Sequence, residues 1–352
     1  MIAHFRDRIR SAAAARTPLR IRGSGSKDFY GREPAGELLD TREHAGIVAY
    51  EPTELYVTAR CGTRLVDLEA ALEENNQMLA FEPPHFGEGT TVGGMVAAGL
   101  SGPRRQQAGA LRDFVLGVRL IDGRGDELRF GGTVMKNVAG YDVSRLVAGS
   151  LGTLGLITEA TLKVLPRPPA ELSLRFEASQ AEAIQRLNEW AGLPLPISAS
   201  AWRAQQMTIR LSGTFAALAA ARARLGGEPL DDFAAGAFWR ALRNHDHEFF
   251  QQGVWRLAVP STAPALALPG DTLLECNGGV RWISLGVEAS TVRDAARAAG
   301  GAATLFRADA RLKRSAGVFD PPSPQMAALH QRIKQVFDPA GIFNPERMHA
   351  GF

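Results

Sequence analysis

The chain has 352 residues, 45% of them apolar and 22% charged, enough to bury one full core and more readily two. Its 40 Lys and Arg against 37 Asp and Glu leave a net charge of +3, too slight for a nucleic-acid protein, while a pI near 9.1 suits small anionic ligands. Cys61 and Cys276 stand far apart without a neighbouring Cys or His at metal-ligand spacing, which excludes a disulfide framework and an iron–sulfur motif within this chain.

The opening MIAHFRDRIRSAAAAR sets Ile2, Phe5 and Ile9 on one helical face with Arg6, Arg8 and Arg10 elsewhere. It lacks a continuous apolar segment, so it reads as a surface helix and not as a targeting peptide. No apolar window, VGGMVAAGL included, is long enough for a membrane span. Three strand signals follow in LRIRG, GIVAYEP and LYVTARCG, each rich in branched or aromatic residues and ending at Gly or Pro. Leu65, Leu68 and Leu72 then recur at helical spacing behind Thr63, a cap residue, and the pattern fades at Asn75 and Asn76.

A glycine-dense run from Phe81 to Gly109 is too flexible to shape itself and too apolar for a disordered linker, so other parts of the protein must order it. VLGVRLIDGRGDELRFGG predicts a hairpin around the turn Asp122 to Gly125. A second glycine-rich passage leads into a strand ending at Pro166, and the cluster Pro166 to Pro169 marks a boundary. This predicts a first domain over 1–166, an α/β domain over 167–310, and a C-terminal helix and tail over 311–352. In the middle domain, strands and a helix bearing Ala183, Ile184, Leu187 and Trp190 are followed by a similar succession from Val254, which suggests two ferredoxin-like halves. The five tryptophans all lie beyond residue 166, and core is their expected place. The last helix should dock through Met326, Leu329, Ile333, Val336 and Phe337 before Asp338-Pro339 stops it.

The stretch IRGSGSKDFYG resembles a dinucleotide loop and then departs from it. A Rossmann fingerprint needs a third glycine opening a helix, and Ser26, Lys27 and Asp28 stand there instead. A phosphate loop of the Gly-Lys-Ser or Gly-Lys-Thr type occurs nowhere in the chain. What remains is a nest in which Gly23 and Gly25 let successive amides converge on an anion, with Ser24, Ser26 and Lys27 adding donors and charge. Taken alone, an ordinary glycine turn is the simpler reading. Two further runs, Thr90 to Gly94 and Gly149 to Gly155, change the balance, because three such loops in one domain suit a long ligand such as a dinucleotide.

The ordered series RGSGSK, PPHFGEGTTVGGMVAAGLSGPRR, LRDFVLGVRLIDGRGDELRFGG and KNVAGYDVSRLVAGSLGTLGLITEATLKVLP resembles the vanillyl-alcohol-oxidase (PCMH) type FAD-binding family. More closely, it is similar to the smaller flavin subunits of the three-subunit bacterial glycolate oxidases. The resemblance covers about 17–166, and FDPAGIFNPERM resembles the family's closing motif. It implies an α+β fold with a PCMH-type FAD-binding domain of two α/β subdomains, a ferredoxin-like cap domain, and a C-terminal helix and tail. It implies non-covalent FAD, since Ser26 and Lys27 stand where some relatives carry a flavin-bonding His. Arg22, Gly23, Ser24, Gly25, Ser26 and Lys27 would wrap the pyrophosphate, with Thr91, Gly93 and Gly94 near the phosphates and ribose. Gly149, Gly152, Thr153 and Ile157 would reach the flavin or adenine.

Other candidates have weaker claims. Lys136, Asn137, Tyr141 and Asp142 could edge the cofactor or form a polar loop. Arg104 and Arg105 read as a solvated pair, and His85 as a hydrogen-bonded loop histidine. His245 and His247 cannot share an ion on a helix, because residues two apart point away from each other, so no metal is expected. The chain also lacks the Gly-Glu-His-Gly motif of related hydroxy-acid oxidisers, and the sequence names no catalytic base. The resemblance implies a glycolate oxidase subunit, turning glycolate into glyoxylate beside a larger FAD-binding subunit and an iron–sulfur subunit that receives the electrons. Its implied location is the cytoplasm, reaching the inner membrane only through those partners. The alternatives are a self-sufficient 2-hydroxy-acid dehydrogenase, such as a D-lactate dehydrogenase with Tyr141 or His85 near the flavin, and a cofactor-free scaffold.

Overall fold

The amphipathic start folds as helix α1, Ile2–Ala15, whose apolar stripe buries Phe5 and Ile9 completely beside Leu19, Leu39, Ile342 and Phe343. The computed structural model describes residues 1–133, 142–284 and 286–352. Strands β1 (Leu19–Arg22) and β2 (Glu37–Asp40) pair in parallel, and Leu19 bridges to Phe343 from the far end of the chain. Next come β3 (Ile47–Glu51), β4 (Tyr56–Arg60), α2 (Leu65–Glu73), the two-residue β5 (Gln77–Met78) and α3 (Val92–Ala98). Leu65, Leu68 and Leu72 of α2 are buried as their spacing requires. Thr63 is not the cap of that helix: Arg64 occupies the position, and the Thr63 hydroxyl accepts from the Gly46 amide at 2.9 Å.

After α4 (Arg105–Ala108) and α5 (Leu111–Phe114), the predicted hairpin forms as β6 (Val115–Ile121) and β7 (Glu127–Gly131). Its turn is fixed by Asp122, whose Oδ1 accepts from the amides of Arg124 and Asp126 at 2.9 Å each, with Gly125 at φ +76. Helix α6 (Val143–Val147) is capped by the Asp142 carboxylate, and β8 (Leu156–Lys163) and β9 (Leu165–Pro166) follow. The resulting sheet has the order β3-β4-β8-β6-β7, antiparallel throughout. These elements, α4 excepted, belong to one unit assembled from Met1–Leu100, Ala110–Pro166 and Pro321–Phe352.

The second unit comprises Ser101–Gly109 and Arg167–Asp320, so α4 belongs to it although its residues fall inside the expected first domain. Its elements are β10 (Ala170–Glu177), α7 (Gln180–Ala191), β11 (Ile197–Arg203), β12 (Gln206–Gly213), α8 (Phe215–Leu225) and β13 (Glu228–Pro229). Helix α9 (Asp232–Asn244) leads to β14 (Val254–Ala258), β15 (Thr272–Glu275), β16 (Val280–Ser284), α10 (Ala289–Ala298), β17 (Ala302–Arg307) and α11 (Ala310–Ala316). The sheet order β13-β10-β12-β11-β15-β16-β14-β17 resolves into two ferredoxin-like halves, each with its first strand flanked by its third and fourth. They join where Ala201 and Trp202 of β11 face Glu275 and Leu274 of β15. In the second half, a loop replaces the helix between its first two strands. Trp202, Trp239, Trp255 and Trp282 are buried, and Trp190 packs at the edge of the first half's core.

Helix α12 (Pro324–Phe337) returns the chain to the first unit, but not on the expected face. Met326, Leu329 and Val336 are 46%, 39% and 62% exposed, whereas Lys334 and Phe337 are buried. Lys334 Nζ donates to the carbonyls of Thr153 at 2.7 Å and Phe343 at 3.0 Å and pairs with Asp338 at 2.9 Å. Three oxygens around one ammonium make its burial tolerable and set the rotation of the helix. No described helix is long and apolar enough to cross a membrane.

A candidate nucleotide-binding cleft

The first glycine loop leaves β1 and turns at Gly25, where φ is +80 and a side chain would run into the Arg22 guanidinium. Asp28 closes the turn, its amide donating to the Gly25 carbonyl at 2.9 Å and its carboxylate pairing with Arg22 Nε at 3.0 Å. The tail of the chain fixes the loop from behind. Asn344 Oδ1 accepts from the Ile21 amide at 2.8 Å, and its Nδ2 donates to the Leu151 carbonyl at 2.6 Å. Arg347 Nη2 donates to the carbonyls of Lys27 at 3.1 Å and Asp28 at 3.0 Å, and Nη1 to that of Arg32. Burial brings this guanidinium down to about 10.

With its carbonyls held this way, the loop presents amides. Those of Ser24 and Gly25 have no acceptor among the described residues, while the Ser26 amide turns to Ser24 Oγ at 3.3 Å. Among the described residues, Lys27 Nζ meets only the hydroxyls of Ser26 and Thr90, each at 3.4 Å, and the Phe86 ring at 5.6 Å. Loss of hydration lowers its pKa to about 7. Free amides beside a cation without a carboxylate partner form an anion site.

Thr91 caps α3 through Oγ1, which accepts from the Gly94 amide at 3.3 Å. The loop, Thr91, Gly94, Leu151, Asn344 and Arg347 enclose a cavity of about 80 Å³. A second cavity of about 580 Å³ shares Ser24 and Thr91 with it and is walled by Ala45, Gly46, Ile47, Gly62, Thr63 and Gly89. At its rim Arg42 pairs with Asp40 and Arg64 with Asp67, which holds both carboxyls below their usual range.

Of the residues named from sequence, Arg22 to Lys27, Thr91 and Gly94 line this cleft. Gly93 stands behind it, donating to the Cys61 carbonyl at 2.8 Å, and a Cβ there would lie 2.7 Å from Cys61 Cβ. Gly149 donates to the Val96 carbonyl at 3.0 Å, and Leu151 to that of Ala97 at 2.8 Å, so the third loop braces α3. Gly152 makes room for Asn344, Thr153 is fully buried with its hydroxyl on the Ser150 carbonyl at 2.7 Å, and Ile157 is buried in β8. Asn137, with Lys136 and Tyr141, lies outside the described residues. The cleft also takes in Asp28, Leu151, Asn344 and Arg347, which the sequence alone does not assign to it; for Asn344 and Arg347 the FNPERM motif is the available signal.

His85 Nε2 contacts Glu69 Oε2 at 2.8 Å. Arg104 is not solvated: it is buried, ion-paired with Glu171 and bonded to Ser212 Oγ at 3.1 Å. His245 stacks on Phe250 with ring centroids 4.0 Å apart, and burial holds its imidazole well below the usual value. His247 Nδ1 accepts from the Phe249 amide at 3.2 Å. Among the described residues, no group of His, Cys, Asp and Glu could hold a metal ion.

A family model described as an FAD binding domain matches residues 2–143. The chain is 50% identical over 346 residues to the glycolate oxidase subunit GlcE of Escherichia coli strain K12, covering 98% of this chain and 96% of that one. It is 34% identical over 161 residues to the glycolate oxidase subunit GlcD of Bacillus subtilis, covering 45% of this chain and 34% of the relative. In fold it is similar to 4-ethylphenol oxidase from Gulosibacter chungangensis, with a TM-score of 0.71 at 14% identity over 98% of this chain and 87% of that one.

Proposed function

Because the chain belongs to the family of the glycolate oxidase subunit GlcE, we propose that it is the FAD-binding accessory subunit of a glycolate oxidase complex. The observation that carries this reading is the cradle itself, where loop amides and Lys27 stand without an anion from the described residues to satisfy them. Arg22 to Lys27 take the diphosphate of a non-covalently held FAD, and Thr91 and Gly94 take the adjoining phosphate and ribose. Gly93, Gly149, Gly152, Thr153 and Ile157 position those walls, and we assign Asn137 to the same site from the family pattern. When bound, FAD supplies acceptance of two electrons from the α-carbon of a 2-hydroxy acid, here glycolate becoming glyoxylate.

We assign no catalytic base in this chain. Electron exit calls for partners, because iron–sulfur clusters are held by sets of cysteine thiolates and this chain has only Cys61 and Cys276, far apart in sequence. The partners in this reading are the larger flavin subunit and an iron–sulfur subunit, and any attachment to the inner membrane runs through them.

The test is to purify the chain with and without those subunits and record the flavin spectrum before and after glycolate or D-lactate. The expected result is a yellow protein that bleaches at catalytic speed only in the complex. Rapid bleaching of the isolated chain would instead make it a self-sufficient dehydrogenase, and a colourless complex partner would make it a scaffold.

A further inference from the structure

Three basic side chains, Arg22, Lys27 and Arg347, meet at the cradle with one carboxylate, that of Asp28. On the loop, Asp28 is engaged by Arg22 at 3.0 Å and lies in the field of the buried Arg347. From the tail, Arg347 approaches as a second cation and donates to the Lys27 carbonyl. From the segment before α3, Thr90 donates to the His85 carbonyl, and His85 is itself held by Glu69 at 2.8 Å. Lys27 Nζ is left with hydroxyls and an aromatic face. Lys334 provides the contrast within the same unit, since a carboxylate at 2.9 Å accompanies that ammonium.

Resting on the FAD reading above, we infer that Lys27 gains a proton from solvent as the diphosphate enters, the ligand bringing the counter-charge that the protein withholds. No covalent bond forms or breaks: an amine and a solvent proton become an ammonium beside phosphate oxygens. Lys27 is therefore the residue by which the cleft prefers a nucleotide diphosphate to an uncharged flavin, and cofactor retention weakens as pH rises.

The sign follows from where the proton sits. In the cofactor-stripped protein the amine titrates near 7, and beside phosphate it returns toward the ordinary lysine range. Between those limits each binding event takes up a proton, so affinity falls by up to about tenfold per pH unit. Folding without cofactor has the opposite slope. The folded pKa lies below the unfolded value of 10.5, so the unfolded chain holds more protons and stability rises with pH across that window.

The experiment strips FAD from the protein and titrates it back, following flavin fluorescence across pH and heat in buffers of different ionisation enthalpy. The expected Kd rises about tenfold from about pH 7.5 to about pH 8.5, with close to one proton taken up per FAD at the upper end. Lys27→Arg, charged at every pH, should bind with a flat profile and no proton uptake, and Lys27→Met weakly and flat. Riboflavin should bind the wild type with no such slope. FAD binding that is flat in pH with the wild type, or equally sloped in Lys27→Arg, would overturn the inference and leave the FAD reading standing. A wild type that binds no FAD at any pH would overturn both.

Discussion

Arg347 satisfies the backbone carbonyls of Lys27, Asp28 and Arg32 with one planar group, and so decides which way the loop turns its amides. Replacing it with alanine takes this donor from the carbonyls of Asp28 and Arg32, while the Lys27 carbonyl keeps the Tyr30 amide at 2.9 Å. We expect Arg347→Ala to cost ~2–4 kcal/mol in unfolding free energy and to weaken FAD at least about tenfold, read by urea denaturation and by fluorescence titration. Arg347→Lys should recover little of either, because an ammonium cannot span carbonyls on both sides of the loop. Lys27 is visible in the sequence as part of RGSGSK, whereas the role of Arg347 is not, and the difference is physical. The carbonyls it serves lie 315 to 320 positions away, and neither periodicity nor local turn chemistry carries information over that separation.

Elements whose shape is fixed by neighbours in sequence are the ones a reader can anticipate. Asp122 and Gly125 dictate the hairpin from within it, and the leucines of α2 need only a core to face. Ser179 and Glu182 cap α7 reciprocally in the same local way. The rotation of α12 is hidden because Lys334 becomes a core residue only once Thr153, Phe343 and Asp338 surround it. Thr63 departs from its expected role as a cap because a loop amide, Gly46, outcompetes the helix for its hydroxyl. At this scale the sharpest test is Gly99, the C-cap of α3, at φ +66 with a would-be Cβ 2.8 Å from Gly149 Cα. Gly99→Ala should lower stability by ~1–3 kcal/mol and prise the third loop from α3. Thermal denaturation followed by circular dichroism would show the loss, and a smaller FAD occupancy after gel filtration would show its reach into the cleft. An unchanged midpoint would mean the two glycines do not depend on each other.

The first unit is continuous in space and broken in sequence, since 154 residues of the second unit, Arg167–Asp320, intervene before Pro321 brings the chain back. Deleting everything after Asp320 should therefore remove FAD binding although all three glycine loops remain encoded. Absorbance of the purified product checks this, and a yellow truncated protein would mean that the loops hold the cofactor without Asn344 and Arg347. The 323 positions between Ile21 and Asn344 also impose an order on biosynthesis. A nascent polypeptide exposes its glycine loop early but should not grip the nucleotide until the intervening sheet has been translated and residues 344 to 347 have emerged. On that expectation a frameshift or premature stop anywhere upstream should yield a product unable to retain the prosthetic group, and flavin occupancy would then report that translation reached the closing motif.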